Sequence, residues 1–304
     1  MKQIIALAEH GGYFLGGPGY RYAHNVPDWF RQIISTTPEV CCVAFGPGDA
    51  AVVTYLDGWS GRVQLVMKNI SSMPGLAAWL LDRDDRGRFK GDLRRLEVSF
   101  GQDGSYWASD GQTHIHHELP EKLEQDLRTL QTEAGPWNDS PRFIGLGAEG
   151  NYILVTGHGA VSSRLGAYPH VFHALNAIAS APTGLTAIQG ICLSHFQEAS
   201  VVQWVEGSLQ GYNLSPELVR DIEQVNHQVS CAQAAQAMAQ ERLRQDIFQA
   251  QAMQQTRFAH EEAAVTQMYH KMMECQQWNA KMSARAGGAT WVEADEYGRP
   301  RRTY

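Results

Sequence analysis

No CxxC pair occurs in this chain, and its five cysteines, Cys41, Cys42, Cys192, Cys231 and Cys275, are odd in number and irregular in spacing. That pattern points to neither a disulfide framework nor a thiolate zinc site, so reduced thiols are expected. Long apolar runs are also missing. Nothing reaches the length needed to cross a bilayer, and the apolar stretch at the start is ended by Glu9, too early for the core of a signal peptide. The expectation is an intracellular, cytoplasmic protein with no membrane partner. Charge is sparse, at 19% of residues, and lacks a basic excess: 25 basic and 32 acidic side chains give a net charge of -7. Such a balance offers nothing to attract phosphate, so nucleic acid is not an expected partner. Gly16-Gly17-Pro18-Gly19 lacks the lysine and helix of a phosphate loop and reads as a tight turn. Glycine and proline are both absent from 217 to 286.

What the chain does contain is a period. Pro27, Pro74, Pro120, Pro169 and Pro216 fall 47, 46, 49 and 47 residues apart. Each opens a stretch with apolar residues at helical spacing, such as Pro-Asp-Trp-Phe-Arg-Gln-Ile from Pro27 and Pro-Glu-Leu-Val-Arg-Asp-Ile from Pro216. Upstream of each proline come β-prone runs separated by turns. In the third copy these are Leu96 to Phe100, Gly101-Gln102-Asp103-Gly104, Ser105 to Ala108, Asp110-Gly111, and Thr113 to His117. Leu96, Val98 and Phe100 alternate with Glu97 and Ser99, as a strand with one buried face requires. The fourth copy repeats the order from Phe143 to Pro169, with Tyr152 in the place of Tyr106; Tyr13 holds that place in the first. In the second copy an insertion of about seven residues is expected around Val63 to Ser71.

The expected fold is therefore α+β: five repeats of about 47 residues, each β-β-β-α, closed into a propeller-like ring over 1-215. One such unit cannot bury both of its faces, so the copies must pack on one another, and closure removes the exposed ends of an open stack. Residues 216-286 read as a long helix or a helical hairpin, and 287-304 as a flexible tail. The helical segment is rich in Ala, Gln, Glu, Met and Arg. Leu218, Ile222, Val225 and Val229 make one apolar stripe at steps of three and four; Val265, Met268, Met272 and Cys275 make another. Self-association or a protein partner through 217-286 is expected.

The layout in Gly101 to Pro120 and Gly147 to Pro169 resembles that of tachylectin-type five-bladed β-propellers, in spacing and turn chemistry. The resemblance implies a propeller ring and sugar binding. The sequence departs from that family where a helix such as Glu121 to Leu130 stands in for the outer part of the blade. Other five-fold α/β rings, such as the pentein propellers, remain open here.

Candidate sites follow from the repeat. Tyr13, Tyr106 and Tyr152 occupy equivalent places, and with Trp107 and Trp204 they offer rings for ligand stacking; packing of the repeat is the competing explanation. His114 and His116 project to one face of a strand about 7 Å apart, a chelating distance, yet solvent-facing histidines on an edge strand are the better account of them. No metal or other cofactor is expected. Without a convergent set of acids, bases or nucleophiles, the sequence reads as a non-enzymatic binding or scaffold protein. The alternatives are an enzyme with an axial pocket built from several repeats, in which His114 and Cys192 are the residues to examine, and an intracellular lectin binding carbohydrate.

Overall fold

A computed structural model describes residues 3–132, 137–179 and 184–287. The expected flexible tail lies, from residue 288 onward, outside the described residues. The chain divides into two compact units, Met1–Ala232 and Gln233–Tyr304.

The first unit holds five separate three-stranded antiparallel sheets, none of which closes on itself. In chain order they are β1 (Ile4–Leu7), β2 (Tyr13–Gly17) and β3 (Tyr20–His24); β4 (Glu39–Phe45), β5 (Ala51–Leu56) and β6 (Val63–Lys68); β7 (Glu97–Phe100), β8 (Tyr106–Ser109) and β9 (His114–His117); β10 (Pro141–Leu146), β11 (Tyr152–Thr156) and β12 (Val161–Arg164); and β13 (Ile188–Leu193), β14 (Ser200–Trp204) and β15 (Leu209–Tyr212). A helix follows each: α1 (Asp28–Thr36), α2 (Pro74–Leu81), α3 (Glu121–Leu130), α4 (Pro169–Ala179) and α5 (Pro216–Gly287). The strand and helix order expected from the period is the order found. One detail differs. The stretch expected as an insertion, Val63 to Ser71, contributes the third strand of the second sheet, paired residue for residue with β5 from Ala51↔Lys68 to Leu56↔Val63. The extra residues went into longer strands rather than a loop, because alternating apolar residues continue the ladder at less cost than an unpaired excursion.

The turns explain the repeat. Between first and second strands, the amides of Ala8, Gly46, Gly101 and Gly147 donate to the carbonyls of Gly12, Ala50, Ser105 and Asn151. Each turn carries left-handed residues, such as Asp103 and Gly104 (φ 55° and 82°), where glycine and short acids are tolerated. In the fifth copy the equivalent bond runs from Ser194 to Ala199, one residue longer, and the glycine pair is gone. After the third strands, Asn25, Asn69 and Asn213 take left-handed φ and their side-chain amides return to His10, Asp49 and Glu198 carbonyls in the first turn of the same unit. The residues before the prolines, Val26, Met73, Leu119 and Tyr168, are buried and form the corner between sheet and helix.

Each helix packs where its own sheet meets the next. Phe30 of α1 lies at 0% exposure, edge-on to Phe14 of the first sheet (5.2 Å) and Phe45 of the second (5.4 Å). Leu76 and Leu80 of α2 join residues of the second and third sheets, Leu123 and Leu127 of α3 the third and fourth, and Val171 and Leu175 of α4 the fourth and fifth. Leu218, Ile222 and Val225 at the start of α5 complete the series, packing with Val201 and Leu209 of the fifth sheet, with Ala199 just before β14, and with Leu7, Tyr13 and Leu15 of the first. The first strands touch in the same rotation: β1 with β4, β4 with β7, β7 with β10, β10 with β13, and β13 with β1. Gln3 adds polar links across the last of these seams, its amide donating to the Gly207 carbonyl at 2.6 Å and accepting from Gln203 at 2.8 Å.

The second unit, described up to Gly287, is the continuation of α5 and is helical throughout. Absence of glycine and proline from this stretch leaves nothing to interrupt its backbone ladder. No helix among the described residues is long and apolar enough to cross a membrane.

Candidate functional site

The three equivalent tyrosines are placed alike, and all are buried: Tyr13 at 1%, Tyr106 at 2% and Tyr152 at 1% exposure. Each begins the second strand of its sheet and reaches the helix of the preceding copy. Tyr13 donates to Asp221 of α5 at 2.6 Å. The Tyr106 hydroxyl meets the Leu76 amide at the start of α2. Tyr152 shares its hydroxyl with Ser162 at 3.2 Å, and Ser162 donates a short bond to Asp126 of α3. Burial, then the Asp221 carboxylate, raise Tyr13 well above the usual phenol range. Burial works against ionisation of Asp126, but bonds from Lys122 and Ser162 outweigh it and hold the carboxyl below its usual range. The corresponding places in the second and fifth copies hold Ala51 and Ser200, both buried.

Trp107 and the histidines come together as a stack. The ring of His114 lies 5.0 Å from Trp107, that of His116 lies 6.1 Å from it, and Trp137 stands against His114 at 4.8 Å. The two imidazoles lie 6.2 Å apart and nearly parallel. Burial lowers the pKa of both, with His116 adding to the effect on His114, and the His114 Nε2 is bonded to Gln131 at 3.3 Å. Among the described residues no group of three or more His, Cys, Asp or Glu is placed to hold a metal ion. Trp204 is half-buried against the cluster of the fourth and fifth sheets, remote in sequence and cluster from the Trp107 stack.

The first strands of all five sheets line a shared cavity of about 150 Å³, with Gln3, Cys41, Glu97, Gln189, Cys192 and Gln203 among its walls. Gln203 donates to both Gln3 (2.8 Å) and Gln189 (3.3 Å), so the polar groups there largely satisfy one another. Burial raises the Cys41 thiol, and raises Cys192 to about 11; both are protonated at neutral pH and poor nucleophiles. The volume is below the range of about 300–1,000 Å³ usual for small-molecule sites.

A different surface is presented by the second unit. Met238, Leu243, Ile247, Phe248, Met253, Phe258, Val265, Met268, Tyr269, Met272, Trp278 and Met282 are all exposed. From Val265 the spacing becomes regular, with Met268, Met272, Cys275 and Met282 at heptad positions and Asn279 in the remaining one. Trp59, which the sequence reading passed over, is fully exposed on the turn after β5. Its amide and the amide and hydroxyl of Ser60 donate to the Asp57 carboxylate, whose pKa these bonds lower, the Ser60 hydroxyl most of all. Asp-Gly-Trp-Ser-Gly is the signal that marks it, a capped turn with an aromatic at its tip.

Comparison with known proteins leaves the site to be read on its own: no family model, no curated protein and no solved structure matches this chain.

Proposed function

We propose that this protein is a non-enzymatic binding and scaffold module, in which five β-β-β-α units form a closed propeller-like ring and α5 assembles copies by pairing with a second chain. The observation that carries the reading is the run of large apolar side chains left exposed along α5 from Met238 to Met282. A helix keeps such a surface in water only at a free-energy penalty that pairing removes. Closure is supported by the cyclic order in which the first strands touch and by the fifth mixed cluster, where α5 packs between the last sheet and the first. A ring of small units whose central cavity among the described residues is only about 150 Å³ offers faces and turns to a partner, and Trp59 is fully exposed on one of them.

Sedimentation equilibrium of the full chain tests assembly. The expected mass is a multiple of 33.8 kDa, falling to the single-chain value when Met268→Glu and Met272→Glu are combined. A wild-type chain that stays monomeric at micromolar concentration overturns the self-association reading.

A further inference from the structure

A second cavity, of about 400 Å³, opens between the third and fourth sheets, and its walls include Arg94, Arg95, Thr113, Trp137 and Arg142. Three arginines line it in a chain whose net charge is -7. None of the three has a carboxylate at ion-pair distance among the described residues, and Glu97 is the single acid on the wall. Arg142 is held by hydrogen bonds, whereas Arg94 and Arg95 are exposed. Arg142 donates through Nη2 to the carbonyls of Leu185 (3.0 Å) and Ile188 (2.5 Å), lies 5.6 Å from the Phe143 ring, and keeps a buried Nε with no partner. Arg95 lies over Gly111, where an added Cβ would meet its guanidinium at 3.0 Å. Gly111 has φ +83°, so this close approach is open to glycine and strained for any other residue.

The rest of the wall narrows the ligand. Ser109, Gln112, Thr113 and Ser140 bring hydroxyl and amide groups. Trp107 is closed off by the histidine stack, at 4% exposure, while Trp137 stands at 61° to it and supplies the accessible apolar edge. Several hydrogen-bonding groups, one aromatic edge and guanidiniums that pair an oxyanion bidentately are complementary to a hydroxylated ring bearing an acid. The volume is within the range that holds small molecules.

We infer that the pocket between the third and fourth sheets binds an anionic monosaccharide, its acid group taken by Arg94 and Arg95 and its ring lying along Trp137. Carboxylate and phosphate share the recognition chemistry, and the measurement separates them. Isothermal titration of the full chain with glucuronate, glucose 6-phosphate, glucose and inorganic sulfate is the test. Saturable one-site binding of at least one of the two acids, with glucose and sulfate weaker by about tenfold or more, is expected, and whichever acid binds more tightly names the group recognised. Arg94→Gln combined with Arg95→Gln, at exposed positions whose loss leaves the melting temperature unchanged, weakens that binding by about tenfold or more. Arg62→Gln, in the connection between β5 and β6 and not on the pocket wall, leaves it intact. No saturable binding of either acid, equal affinity for glucose, equal affinity for sulfate, or indifference to the double substitution overturns the assignment.

Discussion

The Tyr13 hydroxyl donates to the Asp221 carboxylate at 2.6 Å across 208 residues of sequence, joining the second strand of the first sheet to the second turn of α5. Tyr152 and Asp126 repeat the relationship between the fourth sheet and α3, through Ser162. In both cases the acid directly precedes a buried apolar residue of the helix, Ile222 or Leu127.

Tyr13→Phe removes the donor and leaves Asp221 beside a buried ring. A loss of about 1–3 kcal/mol is expected, measured by urea unfolding of the full chain. Asp221→Ala, which removes the acceptor instead, is expected to match it, and the double variant to lose little more than either single one.

His195 sits in the lengthened turn of the fifth copy at 6% exposure, its Nε2 without a partner. Burial lowers its pKa to about 4, from an ordinary value of about 6.5. Between those values the unfolded chain binds a proton that the folded chain refuses, so stability falls as pH drops through this window and the loss is complete below the folded pKa. The full effect is of the order of 3 kcal/mol. Melting temperatures taken from pH 7 to 4 are expected to fall less steeply in His195→Phe than in wild type.

Gly147→Ala places a Cβ 2.7 Å from the Tyr168 hydroxyl. That hydroxyl accepts from the Ala148 amide at 2.8 Å and donates to the Ser194 carbonyl at 2.6 Å, tying the turns of the fourth and fifth copies. Displacing it is expected to destabilise by about 1–3 kcal/mol, with Tyr168→Phe losing the bonds but not the packing. Equal melting temperatures for Gly147→Ala and wild type would sink this account.

The thiols differ in reach. Cys231 is exposed, with its Sγ 3.8 Å from the His227 ring, while Cys41 and Cys42 are buried and Cys192 is held at about 11. An aromatic disulfide reagent at pH 8 is expected to label Cys231 and the likewise exposed Cys275 at once, and Cys41, Cys42 and Cys192 only on unfolding.

Much of this architecture is legible in the sequence because its signals are local. Proline at a helix start, glycine and acid at left-handed turn positions, and alternation over four to six residues each act within a few bonds of the residue concerned. The asparagines after the third strands were equally legible in principle, yet they are spread through only three copies and escape a search for prolines and glycines. Tyr13, Tyr106 and Tyr152 were visible as a set, but whether they face a ligand or a neighbouring helix depends on which helix lies beside them. The charged pocket was not visible at all: Arg94 and Arg95 are separated from Arg142 by more than one strand and one helix, and no spacing rule connects them.

By itself, the chain's sequence determined the unit, its five-fold recurrence and the helical character of the stretch after it, since these rest on backbone preference and periodic burial; that this stretch is one helix and not a hairpin was left open. Only the tertiary structure decided that α5 begins wedged between the last sheet and the first, that the repeated tyrosines are pins to the preceding helix, and that three arginines share one cavity. Those facts concern side chains far apart along the chain, and packing alone brings them within hydrogen-bonding or Coulombic range.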